Sequence, residues 1–162
     1  MKTKTTIVIT ALAIALAVAF AAWSETATIQ VSASTGYIDL DFLNEAVSSA
    51  SNYVNVQLSK TNSQAGGTND GAPTLTVTIS NAYPGAKVEV TFDMYNDGTI
   101  PVNIQCTVDA PSVLTVQISP STVSNLEPGR SQSATLTVTA GDVSESESYS
   151  ATVSCTYTQA VP

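Results

Sequence analysis

Short runs of strict apolar–polar alternation are the feature of this sequence that most limits its fold. They are clearest in four segments: Ala27-Thr-Ile-Gln-Val-Ser-Ala33, Leu75-Thr-Val-Thr-Ile79, Val88-Glu-Val-Thr-Phe-Asp-Met94 and Leu136-Thr-Val-Thr139. Apolar residues occupy one face of each segment and Thr, Ser, Gln or an acid the other, which is typical of a half-buried β-strand. Further strand candidates are residues 36–42, 53–58, 100–108 and 113–118. The pattern predicts about eight to ten strands.

Turn residues separate these segments. The strongest signals are Tyr83-Pro84-Gly85, Asn96-Asp97-Gly98 and Glu127-Pro128-Gly129, because Pro presets φ and Gly accepts a positive φ. Residues 64–73 form a long polar loop, and residues 44–50 alone look helical, with Leu43, Val47 and Ala50 on one face. Many short strands with one solvent-exposed and one buried face predict an all-β antiparallel sandwich, of the jelly-roll or immunoglobulin-like type, over residues 35–162.

The first residues have the composition of a secretory signal. Lys2 and Lys4 precede an uncharged apolar run over residues 7–22, and small residues near its end offer the cleavage sites Ala17-Val18-Ala19 and Ala19-Phe20-Ala21. Two alternatives stay open. The uncharged residues 5–24 are just long enough for a retained membrane anchor, and a type IV pilin leader would turn the apolar run into a filament-core helix. We expect a signal peptide over residues 1–21 and an exported, extracellular or cell-surface protein.

Composition excludes several classes of function. The chain has no His, and 5 Lys and Arg face 13 Asp and Glu, for a formal net charge of −8. Removal of the leader leaves Lys60, Lys87 and Arg130 against the 13 acids, and a net charge of −10. Nucleic acid and anionic lipid are therefore poor partners, and membrane contact is expected only through an uncleaved leader. Neither a nucleophile elbow nor a phosphate loop is present. We expect no enzyme, no catalytic residue and no cofactor.

Two acids flank a single residue of a predicted strand. Asp39 and Asp41 stand on either side of Leu40 and would share one face of a strand. Such a pair can bind Ca²⁺, but a good site needs six to eight oxygen ligands. We therefore interpret the pair as part of a solvated sheet face, interpret Asn69-Asp70-Gly71 as a turn, and expect no metal site.

Cys106 and Cys155 are the only cysteines. In an exported protein an even pair usually forms a disulfide. Both lie in alternating segments, and closure of the 48 residues between them would stabilise the fold by roughly 3–4 kcal/mol in the chain-entropy model. The alternative is two buried free thiols. A catalytic cysteine is disfavoured because no His is present to activate it.

Two groups of motifs resemble a known family. Ala22-Trp23-Ser24-Glu25-Thr26, followed by a strand and then Thr35-Gly36-Tyr37-Ile38-Asp39-Leu40, is similar to the TasA/camelysin family of secreted matrix proteins. Asn81-Ala-Tyr-Pro-Gly85 with Asn96-Asp-Gly-Thr-Ile-Pro-Val102 resembles the archaeal branch of that family, which includes bundling pilins. Together the motifs span roughly residues 22–108. The second group also occurs in generic immunoglobulin-like surface modules.

The resemblance implies a jelly roll and a pilus or biofilm-matrix filament in which each subunit donates a strand to the next. Identical subunits would then be the partners, with neighbouring filaments as bundling partners. The metalloprotease activity attributed to camelysin is not carried over, because no His can bind a catalytic zinc here.

The segment that would be donated is residues 22–34, with Ala27, Ile29, Val31 and Ala33 on its apolar face. Its backbone would supply affinity at a neighbour's sheet edge, and its side chains would set the register. Two alternatives stay open: the strand pairs within its own sandwich, or the protein is a membrane-anchored immunoglobulin-like adhesion or binding module.

Overall fold

The computed structural model describes residues 2–21, 28–64, 66, 70–144 and 146–160. The chain divides into two compact units, Met1–Ser34 and Thr35–Pro162. The first unit contains helix α1, Lys2–Ala21, whose apolar side chains Ile7, Val8 and Ile9 point in three directions and are all exposed. Among the described residues, no helix combines the length and apolar character needed to cross a membrane.

The second unit is built of nine strands within the described residues. They are β1 Leu40–Ala50, β2 Asn55–Thr61, β3 Thr74–Ser80, β4 Lys87–Asn96, β5 Val102–Asp109, β6 Leu114–Ser119, β7 Thr122–Leu126, β8 Ser131–Ala140 and β9 Ser148–Gln159. One sheet has the order β1-β4-β8-β6 and the other the order β2-β3-β9-β5-β7. All neighbouring strands are antiparallel. Every connection except the β2–β3 hairpin passes from one sheet to the other.

The apolar face of each sheet packs into a single core, as the alternation predicts. Burial alternates along β3, β4, β8 and the middle of β9, so that every second side chain is buried. Phe42 and Phe92 meet edge to face with ring centroids 4.8 Å apart, an arrangement that aromatic pairs favour. Residues of both sheets belong to the same cluster, for example Val90 and Leu136 from one sheet and Val77 and Val153 from the other. The predicted antiparallel β-sandwich is confirmed.

The helix predicted over residues 44–50 is wrong, because this segment is the second half of β1. Its pairing with β4 has two irregularities, between Leu43 and Ala46 and between Val47 and Ser49, and Asn44 has a φ of 55°. Each irregularity shifts the alternation of a strand. Leu43, Val47 and Ala50 are four and three residues apart in the sequence, a spacing that imitates the period of a helix.

Cys106 and Cys155 form the predicted disulfide. The two residues are direct partners across the β5–β9 ladder, with Cα atoms 4.0 Å apart, and both are buried. The bridge therefore links two neighbouring strands of one sheet rather than the two sheets.

We expect reduction of this disulfide to lower the free energy of unfolding by about 2–4 kcal/mol, because the unfolded chain regains the entropy of a long loop. Guanidinium denaturation with and without reductant measures the difference. A variant carrying both Cys106→Ala and Cys155→Ala is the control, since reductant should leave its stability unchanged. Equal stability of the oxidised and reduced wild-type protein would contradict the prediction.

Candidate functional site

The predicted donor residues lie in the first unit. Ala27 falls outside the described residues. Ile29 and Val31 are 85% and 87% exposed, and Ala33 is exposed as well. Residues 28–39 contain no regular secondary structure. The described part of the predicted donor strand therefore forms no strand in the single chain.

Four edge strands border the sandwich in the second unit. They are β1 and β6 in one sheet, and β2 and β7 in the other. Some apolar side chains on these edges are only half-buried, as with Leu58 of β2 and Ile118 of β6, whereas Val90 and Leu136 in the central strands are fully buried. An edge strand also offers a row of backbone groups for pairing with another chain. The fold thus provides edges that an added strand could cover.

A cluster of carboxylates occurs where β1 begins. Asp39 immediately precedes β1, Asp41 lies within it, and Asp97 lies in the loop between β4 and β5. One oxygen from each of the three lies within 4.8 Å of the others. Asp39 and Asp41 are both 0% exposed. The interpretation of this pair as a solvated sheet face is therefore wrong.

The β4–β5 loop covers one side of these acids. Hydrogen bonds join Tyr37 to Thr99: the Thr99 N–H donates to the Tyr37 carbonyl at 2.9 Å, and the Tyr37 N–H donates to Thr99 Oγ1 at 3.0 Å. Gly98 lies so close to this segment that a Cβ would be 2.7 Å from the Tyr37 carbonyl and 2.8 Å from the Asp39 nitrogen. Only glycine fits at this position without a shift of the backbone.

The β2–β3 loop covers a second side. The Gly66 N–H donates to Asp97 Oδ2 at 2.6 Å, and the Ser63 hydroxyl donates to the Phe42 carbonyl at 3.0 Å. These contacts join residues that are distant in the sequence. The alternation around Leu40 carries no information about such long-range contacts, and the pattern therefore predicted solvent-exposed acids.

The buried carboxylates have few hydrogen bonds. Asp39 Oδ1 accepts a bond from the Leu40 N–H at 3.1 Å. Asp39 Oδ2 and both carboxylate oxygens of Asp41 have no hydrogen-bond partner among the described residues. Buried polar atoms in proteins are nearly always hydrogen-bonded, so three such oxygens in one cluster are unusual.

The side chains of the cluster all carry groups of the same, negative sign. Burial, followed by the charges of Asp39, Asp70 and Asp97, raises the pKa of Asp41 to about 6. Burial and then Asp70 also raise the pKa of Asp39. Lys60 opposes the rise at Asp41, but its Nζ donates to Glu45 at 2.8 Å and to the Phe42 carbonyl at 3.0 Å. The cluster is a set of oxygen ligands of the kind that hard cations prefer.

Comparison with protein families gives one match. Residues 82–158 are similar to the family described as NPCBM-associated, NEW3 domain of alpha-galactosidase. The matched stretch begins just before β4 and ends within β9, which is slightly less than half of the chain. It includes Asp97 but neither Asp39 nor Asp41. Comparisons with curated proteins and with solved structures give no significant match.

We expect Gly98→Ala to lower the free energy of unfolding by about 1–3 kcal/mol, because the new Cβ would force apart two closely packed backbone segments. Urea denaturation measures the change. Thr115→Ala, an exposed substitution on β6, is the control and should stay within about 0.5 kcal/mol of wild type. Wild-type stability of Gly98→Ala would show that the β4–β5 loop does not pack this closely against residues 37–39.

Proposed function

We propose that the chain is a structural subunit of an extracellular filament, in which the N-terminal segment of one copy is added as a strand to the sandwich of the next. The observation that carries the proposal is the exposure of Ile29 and Val31, at 85% and 87%, in an alternating segment that belongs to no described strand. Burial of two such side chains would contribute about 1.5–3 kcal/mol each. A partner that covers these two side chains would therefore form a substantially stabilised complex.

The edge strands support the acceptor half of the proposal. A strand added beside β2 or β6 would cover their half-buried apolar side chains. Each new backbone hydrogen bond contributes about 0.5–1.5 kcal/mol. Donor and acceptor are different surfaces of the same chain, so the contact is heterologous and repeats without closing on itself. Such a contact generates a fibre.

The first unit supports export. A helix with apolar residues on every side, as α1 has, requires an apolar environment, which fits a signal segment that is used during export and then removed. The disulfide fits an oxidising compartment. Cleavage after residue 21 would leave residues 22–34 as the new N-terminal segment.

The same proposal includes the type of sandwich, which is a jelly-roll or immunoglobulin-like fold. Both types of sandwich join strands of one sheet to strands of the other. The connections of this chain that pass between its two sheets support such a fold. The resemblance of residues 22–108 to the TasA/camelysin family favours a filament subunit among proteins with this type of sandwich. The subunit is structural in this proposal and carries no catalytic residue.

A second candidate is a surface-anchored binding module. The match of residues 82–158 to a NEW3 domain favours it. A cleft of about 570 Å³ beside β5, β7 and β9, with Ile100, Pro101 and Gln159 among its lining residues, is a place where a ligand could bind. N-terminal sequencing of the native protein separates the candidates: a start near Ala22 or Trp23 supports the secreted subunit, and a start at Met1 or Lys2 supports the anchored module.

Deletion of residues 22–34 from the mature protein should give a folded monomer that cannot polymerise, because the donor strand is missing while the sandwich is complete. Electron microscopy and analytical ultracentrifugation report assembly, and circular dichroism reports folding. An added peptide of residues 22–34 should bind the truncated monomer. Filaments of normal diameter from the truncated protein would rule out donation of this segment.

Single substitutions should distinguish the two faces of the segment. Ile29→Asp and Val31→Asp should each abolish or strongly slow assembly, because an unpaired charge would be buried against the apolar side chains at the neighbour's sheet edge. Thr28→Asp on the opposite face is the matched control and should have a milder effect. Assembly rates followed by light scattering give the comparison, and equal effects on both faces would contradict insertion with this register.

A further inference from the structure

We propose that Asp39, Asp41 and Asp97 bind a calcium ion where β1 begins. The site would revise the expectation of no metal site. It lies within the sandwich unit and does not depend on the proposed filament, because none of its three residues belongs to the N-terminal segment.

Ligand spacing fits one shared ion. Calcium binds oxygen at 2.3–2.6 Å, so two ligands on opposite sides of the same ion lie about 4.6–5.2 Å apart. The three carboxylate oxygens all lie within 4.8 Å of one another. A single Ca²⁺ can therefore contact all three without a change of fold.

The state of Asp41 is the independent observation that indicates a ligand. Its side chain is fully buried, and neither carboxylate oxygen has a hydrogen-bond partner in the part of the chain that the structure describes. Burial of an unpaired carboxylate is costly, and buried charges in proteins are paired or coordinate metals. The neighbouring carboxylates make the position worse for an anion, whereas a divalent cation would satisfy all of them together.

The donor set selects a hard cation. The chain has no His, and both cysteines are in the disulfide, so soft or borderline metals lack their preferred ligands. Calcium accepts six to eight oxygens in irregular geometry and takes them from carboxylates, carbonyls and water. The charge of Asp70 also acts on both Asp39 and Asp41. Magnesium demands a near-ideal octahedron at shorter distances and loses its water reluctantly, so we expect it to bind more weakly than calcium.

A bound ion would join three parts of the sandwich. Asp39 and Asp41 belong to the start of β1, Asp97 to the β4–β5 loop, and the Gly66 N–H connects Asp97 to the β2–β3 loop. Calcium would replace the mutual repulsion of the carboxylates by attraction at this junction. The folded state would then gain stability with rising calcium concentration, as for any ligand that binds only the native protein.

The test is calcium titration of the full chain after EDTA treatment and dialysis. Isothermal titration calorimetry with CaCl₂ should show one site, and the thermal unfolding midpoint should rise with calcium. Magnesium should bind at least tenfold more weakly. Asp41→Asn and, separately, the less buried Asp97→Asn should each weaken calcium binding at least tenfold. The exposed control Asp109→Asn should bind like wild type.

Stability in EDTA supplies a second readout. Asp41→Asn should then be at least as stable as wild type, because it removes a buried charge that lacks its cation. If Asp41 had only a structural role, Asp41→Asn would instead lower the stability of the protein both with and without calcium. Absence of calcium binding by the wild-type chain, an unchanged calcium-induced shift in both Asp41→Asn and Asp97→Asn, or tighter binding of magnesium would each overturn the assignment.

Discussion

Burial of the inner faces of two sheets is the constraint on which the rest of the structure depends, and β4 is at its centre. This strand pairs with β1 on one side and β8 on the other, and its alternate residues from Val88 to Asn96 are all buried. Asn96 ends the strand without leaving its own polar atoms unpaired. Its Nδ2 donates to the carbonyls of Ile100 and Leu126, and its Oδ1 accepts from the Gly98 N–H. The core thereby shapes the loop that carries Asp97.

The same constraint leaves apolar surface uncovered in two places. Central strands are covered on both sides by neighbours, whereas the edge strands β2 and β6 hold apolar side chains that are only half-buried. Ile29 and Val31 are exposed in the N-terminal segment. Exposed alternating sequence and open sheet edges in one chain are complementary features, because each can satisfy the unmet backbone and apolar groups of the other. The proposed assembly of identical chains would use that complementarity.

The aspartate cluster breaks the rule that the rest of the sandwich follows. Everywhere in the described core, buried side chains are apolar except for Asp39, Asp41 and Asn96. Asn96 is satisfied by hydrogen bonds, but the two acids are not. Natural proteins violate such rules mainly at functional sites. A buried group of like charges beneath two loops would destabilise the fold, so the proposed cation explains the cluster better than a purely structural role does. A filament subunit can also contain a bound metal ion.

The sequence by itself indicated the sandwich, because alternation in segments such as Leu75-Thr-Val-Thr-Ile79 places the apolar side chains on one face of a strand, and that face has to be buried. It also determined the pairing of Cys106 with Cys155, since a single pair allows one disulfide. Only the tertiary structure decided the strand nature of residues 44–50, where irregular pairing with β4 overrides a helical spacing. Burial of Asp39 and Asp41 was likewise a tertiary outcome. Local pattern reports which face of a strand a residue occupies, whereas the loops that cover that face come from residues some 25 to 60 positions away along the chain.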